Sequence, residues 1–483
     1  MGPHQSQFNP GFAAFGGGSN ASVLHPAVAV ALVVLTVLIF SLPRRQVIIP
    51  LLLGMLLIPS GQNLFIGGVH LYTYRILILV GLARVLSSKP LSGDFLPGGF
   101  SLLDKIFLVW AIYRALSVVL LFAQASAAVN QAAFLLDALG GYFIFRTLVR
   151  DSEDVQKVVQ VFVVVTIISA VDMLIELKTG RNMLGLLGGI RLISEVREGR
   201  IRGQGVFQHP IIAGSFAATS LPLFLWLWKS GKAKFAAMVG VASSLVMIFA
   251  SASSTPVGAL LGGIFAICLW PIRKKMRLVR WGIVAFLVGM WLVMKAPIWY
   301  VLAHLDVVGG SSGWERAFLL DTFTQHFRDW WLIGTHDNAN WGWDMWDQAN
   351  QFVSEGETGG LVALSCFITM IVICFKKVGN ARRAVAGNYR KEWLCWLVGV
   401  AVFAQVLVFT GVDYFDQSIF SWYLLLVIVP VATTIPRASV PKKSNIAARR
   451  NPAAPLPLRE VEVAETVDFE ATTAPSVSRN WFV

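Results

Sequence analysis

An all-α polytopic membrane protein with about 12–13 transmembrane helices is what this sequence predicts, on length, polarity and charge order. Among 483 residues, 56% are hydrophobic and only 14% charged, with a mean hydropathy of +0.66. That is too apolar for a soluble chain of this length. Apolar runs recur at close to the roughly 20 residues that cross a bilayer core. Basic residues follow every second run, as they do in proteins oriented by cytoplasmic Lys and Arg.

Spans are expected at 24–42, 46–59, 69–88, 105–124, 127–148, 156–177, 208–228, 234–252, 255–271, 279–295, 356–376, 393–411 and 418–435. The second is short and ends at Pro59, so it either tilts, re-enters or runs longer. Residues 1–22 carry no Lys or Arg and no cleavable-signal pattern, so the first span is expected to stay as a membrane helix behind a flexible segment. Residues 23–435 form the expected transmembrane domain. The tail, 436–483, is rich in Pro, Ala, Ser and Glu and is expected to be disordered.

Arg44 and Arg45 follow the first span, Arg84 and Lys89 the third, and Arg146 and Arg150 the fifth. Lys229 and Lys232 follow the seventh, and Arg273, Lys274, Lys275, Arg277 and Arg280 the ninth. The eleventh is followed by Lys376, Lys377, Arg382 and Arg383, and the last by Arg437, Lys442 and Lys443. One parity satisfies all of these: N-terminus outside, C-terminus cytoplasmic. The net charge of +13 therefore reflects orientation, and no nucleic-acid partner is expected. Cys268, Cys366, Cys374 and Cys395 lie in or beside apolar spans and are expected to pack as free thiols.

Two large segments then fall outside, 178–207 and 296–355. The first breaks the charge rule, because it holds Lys178, Arg181, Arg191, Arg197, Arg200 and Arg202 against Glu195 and Glu198. Arg200 and Arg202 share a face if the backbone is extended. A guanidinium fork suits phosphate. Two roles are open for these arginines: anchoring in lipid headgroups, or holding an anionic ligand. Asp172 and Glu176 stand one helical turn apart just below, and pairing with the loop arginines is expected of them.

The second external loop crowds six tryptophans between 314 and 346, Trp314, Trp341 and Trp343 among them. Tryptophan favours the membrane interface, but beside Asp347 and Asn350 it also suits sugar rings. His336 and Glu355 are candidate proton acceptors. The spacing of His, Asp and Glu forms no metal set, and no metal is expected.

The run 202–210, RGQGVFQHP, which ends in His209, resembles the entry to a span in the O-antigen ligase and O-antigen polymerase superfamily. So do the polar turn SASSTP at 251–256 and WERAFLL at 314–320 with Gly334 downstream. DQANQF at 347–352 and ETGGL at 357–361 add to the resemblance, which covers roughly residues 140–430. Ile211 stands where the family often has Asn, and Ala349 where it has His; His336 is the nearest replacement.

The resemblance implies an enzyme without cofactors. It would transfer a glycan from undecaprenyl pyrophosphate to an acceptor hydroxyl outside the bacterial inner membrane. The acceptor is a second lipid-linked repeat unit in a polymerase, or a lipid or protein in a ligase. Pyrophosphate binding would fall on Arg191, Arg200, Arg202 and Arg316, and catalysis on His336, Arg316 and Glu355. Glycan contact would fall on Trp314, Trp341, Trp343, Asp347 and Asn350, with His209, Asp172 and Glu176 in support. Membrane lipids and a chain-length regulator are the further partners it implies. A polymerase is favoured, for a surface or secreted polysaccharide. The competing readings are a prenyl-monophosphate-sugar transferase, whose usual acids are missing from residues 60–68, and a transporter or flippase, which would place its charges at mid-membrane.

Overall fold

A computed structural model describes residues 22–433 apart from 68, 88–95, 97, 232, 305–312 and 343–348. Trp343 and Asp347 thus lie outside the described residues, as do residues 1–21 and the tail from 434.

Each expected span overlaps a helix, although the third, 69–88, begins on a strand at Val69–Tyr72. The N-terminal part comprises α1 (Pro26–Ser41), α2 (Arg44–Leu57), α3 (Thr73–Ser87), α4 (Leu102–Phe122), α5 (Ala125–Leu135), α6 (Gly141–Leu148) and α7 (Ser152–Thr179). A π-helical turn, Leu136–Gly140, joins α5 to α6 without a break. After the arginine loop come α8 (Pro210–Ser230), α9 (Lys234–Ala250), α10 (Ser254–Cys268) and α11 (Met276–Val293). The second outer segment holds α12 (Gly313–Gln325) and α13 (Phe327–Trp330), and α14 (Gln351–Ala384), α15 (Tyr389–Phe409) and α16 (Ile419–Ala432) complete the chain. Among the described residues, seven helical stretches are long and apolar enough to cross a membrane, and α1, α9, α10 and α16 are shorter apolar helices.

The helices sort by what covers them. α8 and α16 are buried almost throughout; α8 packs on α7, α9, α10 and α15, and α16 on α6, α7, α14 and α15. Small residues of α8, Ala213, Gly214, Ser215, Ala217 and Ala218, let neighbours approach closely, the usual means of packing helices in lipid. α1 instead presents Val30, Val33, Val34 and Val37 outward. No residue of α11 is buried.

Two antiparallel hairpins stand at loop ends: β1 (Asn63–Ile66) with β2 (Val69–Tyr72), and β3 (Glu195–Arg197) with β4 (Arg200–Arg202). The second gives Arg200 and Arg202 the extended backbone on which they were to share a face.

α14 is broken near its start. Gly359 and Gly360 leave helical geometry, and Gly360 has φ +63°. The outer segment docks into the break: the Leu361 amide donates to the Trp331 carbonyl and the Thr335 amide to the Glu357 carbonyl, both at 2.8 Å. A Cβ on Gly334 would sit 2.2 Å from the Glu357 carbonyl oxygen, and one on Gly360 2.2 Å from that of Leu332. Glycine is required at both because two backbones cross there. The resemblance motifs that carry these glycines therefore meet in space.

Candidate functional site: an arginine-lined cavity beside the α7–α8 loop

The loop between α7 and α8 is built on one carboxylate. α7 ends at Gly180, in the left-handed region that closes helices. Glu176, fully buried one turn earlier, accepts from the amides of Gln204 and Gly205, from Asn182 Nδ2 and from Ser194 Oγ. Asp172 accepts from the Met183 amide at 2.9 Å. These acids were expected to pair with loop arginines. They hold the backbone instead, because the chain turns back directly over α7 and its amides arrive there first.

The arginines are organised by Glu195 of β3. Arg202 Nη1 lies 2.5 Å from Glu195 Oε1, Arg191 Nη1 3.6 Å from Oε2, and His209 Nε2 3.4 Å from Oε2. Arg202 is 4% exposed and also donates to Ser253 Oγ and the Ser251 carbonyl. The turn 251–256 thus seats Arg202. A hydrogen bond from His209 holds the Glu195 carboxyl down at about 2; burial opposes this and the charge of Arg202 reinforces it. Burial depresses the Arg202 guanidinium, with Glu195 opposing.

His209 caps α8: its Nδ1 accepts from the Ile211 amide at 3.2 Å, which leaves Nε2 as the donor toward Glu195. Both ring nitrogens are engaged, so His209 positions Glu195 and the helix start. Pro210 at the first helical position suits this entry.

Above this cluster lies a cavity of about 530 Å³, lined by Gly189, Ile190, Arg191, Gln208, His209 and Phe415. Three features make it favourable to anions. The Arg191 side chain lines the cavity and is 64% exposed. Two arginines share a single carboxylate. The positive end of the α8 dipole opens at Gln208 and His209.

Beneath the cavity is Asp416, between α15 and α16, which sequence reasoning missed. It accepts from the Gln208 amide at 3.1 Å and the Ser418 amide at 2.8 Å, and burial raises its carboxyl above the ordinary range. Its signal was weak: DYFDQS at 413–418 is a short acidic turn between two apolar spans.

Two charged pairs inside the bundle were missed as well. Arg75 on α3 holds Asp137 of the π-helical turn through three contacts of 2.8–3.0 Å, under the rings of Tyr72 and Tyr74. Arg114 on α4 lies 3.8 Å from Glu355.

The remaining expected residues are spread more widely. Arg200 is exposed near the hairpin tip, opposite Arg197. Arg316 is half-buried on α12. Trp314 is exposed and stacks on Phe318, and Trp341 stacks on His326. His336 is exposed, with its ring 4.3 Å from that of Phe122 at the end of α4. Glu355 is 1% exposed and accepts from Trp110 Nε1 and Gln351 Nε2. Asn350 is buried; it caps α14 by accepting from the Phe352 and Val353 amides and donates to the Thr410 carbonyl. Its amide is thus spent on the backbone. Among the described residues no group of three or more His, Cys, Asp or Glu side chains is arranged to hold a metal.

Set against known proteins, the chain matches no family model and no curated protein.

Proposed function

We propose that this protein is a membrane glycosyltransferase that polymerises oligosaccharide repeat units carried on undecaprenyl pyrophosphate. It works at the outer face of the bacterial inner membrane, with its N-terminus outside, its C-terminus in the cytoplasm and thirteen crossings in the order of the expected spans. The observation that carries the reading is the cavity lined by Arg191, His209 and the start of α8. The resemblance in motif order gives that cavity its substrate.

Arg191 takes the pyrophosphate, assisted by the α8 dipole, while Arg202 and His209 fix the Glu195 anchor. Arg200 and Arg316 are the further pyrophosphate contacts implied by the resemblance, and the exposed Trp314 offers a face to the glycan. The acceptor hydroxyl attacks the anomeric carbon. The bond from that carbon to the pyrophosphate breaks, and the lipid pyrophosphate leaves with its extra negative charge. The Arg191 guanidinium, aimed at the leaving pyrophosphate, stabilises that charge as it develops. The hydroxyl proton passes to a carboxylate or imidazole, for which Asp416, Glu355 and His336 are the candidates. The chemistry calls for no cofactor. A chain-length regulator and the surrounding lipids are the expected partners.

The test is binding of undecaprenyl pyrophosphate to the protein in lipid nanodiscs. Arg191→Ala weakens binding by about tenfold or more, and Arg191→Lys restores only part, since the paired donors of a guanidinium are lost. Unchanged affinity in Arg191→Ala would remove this residue and its cavity from the site.

A further inference from the structure

Four cations at the head of α11 find no acid among the described residues. Lys274, Lys275, Arg277 and Arg280 fall within seven positions, and all four are exposed. Their side chains make no hydrogen bond or ion pair with the described residues. The first turn of α11 holds no acid. The nearby carboxylate, Glu392, is held by Arg273 at 2.8 Å and also accepts from the Gly387 amide. Basic residues at other span ends are used by the protein. Arg44 pairs with Asp154 and Arg45 with Glu153, and Arg390 donates to the Lys229 and Ser230 carbonyls.

Such crowding is unfavourable by itself. The N-terminus of a helix already carries partial positive charge. Arg277 and Arg280 are three positions apart on α11, so they meet on its surface as like charges. The orientation of the chain accounts for the sign of the cluster. It does not account for four charges that the protein leaves uncompensated. An anion from outside the chain relieves their repulsion.

The surroundings say what carries that anion. Trp270, just before the cluster, packs edge-on against Trp393 and Tyr389. Trp281, 63% exposed, lies one turn beyond Arg277. Tryptophan and tyrosine gather at the headgroup level of a bilayer. No residue of α11 is buried, and Leu278, Ile283, Val284 and Phe286 are among its exposed apolar side chains. We propose that residues 274–281 bind an anionic phospholipid. Its phosphate sits among Lys274, Lys275, Arg277 and Arg280, and its acyl chains lie along α11. The lipid supplies the counter-charge that the chain lacks and holds the start of α11 at the membrane surface. This site is independent of glycan transfer.

Hydrogen exchange over the first turns of α11 tests it, on the full chain in nanodiscs of phosphatidylcholine with and without phosphatidylglycerol. In the wild type, phosphatidylglycerol slows exchange there about threefold or more. The quadruple variant Lys274→Gln, Lys275→Gln, Arg277→Gln, Arg280→Gln loses that dependence, while protection of the α8 interior stays as in the wild type and shows that the bundle is folded. A variant with as many charges removed elsewhere, Lys376→Gln, Lys377→Gln, Arg383→Gln, Lys391→Gln, keeps the dependence. Equal exchange of the wild type in the two lipids would overturn the site. So would loss of the dependence in the second variant, which would trace the effect to overall charge. Soluble glycerol phosphate is the remaining arm, added to nanodiscs of phosphatidylcholine alone. It leaves exchange unchanged if the ligand is a lipid, and protection by it would assign the cluster to a free anion instead.

Discussion

Glu195 holds Arg202, Arg191 and His209 around one carboxylate, and this sharing leaves Arg191 able to turn toward the cavity. Its carboxyl titrates near 2 rather than at the ordinary 4.5, so the sign of its linkage to stability is fixed. The contribution is complete above pH about 5 and is lost as pH falls toward about 2. Thermal melting of the wild type and Glu195→Gln across that range checks it: the gap between the two variants closes on acidification. A gap that stays constant would mean that Glu195 is not held as an ion by its neighbours. Arg191, Arg202 and Glu195 were legible as members of one loop that violates the charge rule, and His209 through the resemblance, but not that Glu195 would gather them. Asp416, Asp137 and Arg114 were not legible. Each gains its meaning from a residue on another helix, and spacing along one chain carries no trace of that pairing.

Among the elements, the thirteen apolar runs marked helices well, since length and hydropathy are properties of the segment itself. What those runs could not show is where helices break. The crossing of Gly334 with Gly359 and Gly360 uses glycine for backbone access, and in the sequence it reads only as TGG at the head of an apolar run. Gly360→Ala adds a Cβ at φ +63° and 2.2 Å from the Leu332 carbonyl oxygen. The variant is therefore expected to lose about 1–3 kcal/mol locally. Hydrogen exchange checks this. The Leu361 and Thr335 amides, which bridge the crossing, exchange faster in the variant, while the α8 interior is unchanged. Protection equal to wild type would show that the crossing tolerates a side chain. The tryptophans divide in the same way: Trp330 is core, with its indole donating to the Phe323 carbonyl, while Trp314 and Trp331 face outward. Composition alone could not sort them.

At the scale of the whole molecule, the bundle sets an open cavity lined by Arg191 beside the buried Asp416, next to a loop whose backbone Glu176 organises. Inside the bundle, Arg75 is paired with Asp137 and Arg114 with Glu355. Charges placed among membrane helices are retained where they act or hold something that acts. A transporter would spread such groups along a path through mid-membrane, whereas a transferase gathers them at one face. The measurement that separates these is a reconstituted transfer assay. Purified protein in lipid is given an undecaprenyl-pyrophosphate-linked repeat unit, alone and with a second acceptor, and the products are sized. The account predicts a ladder of lengthening glycans from the single substrate, reduced about tenfold or more in rate by Arg191→Ala. No elongated product from either mixture, with the protein folded and the donor intact, would contradict it.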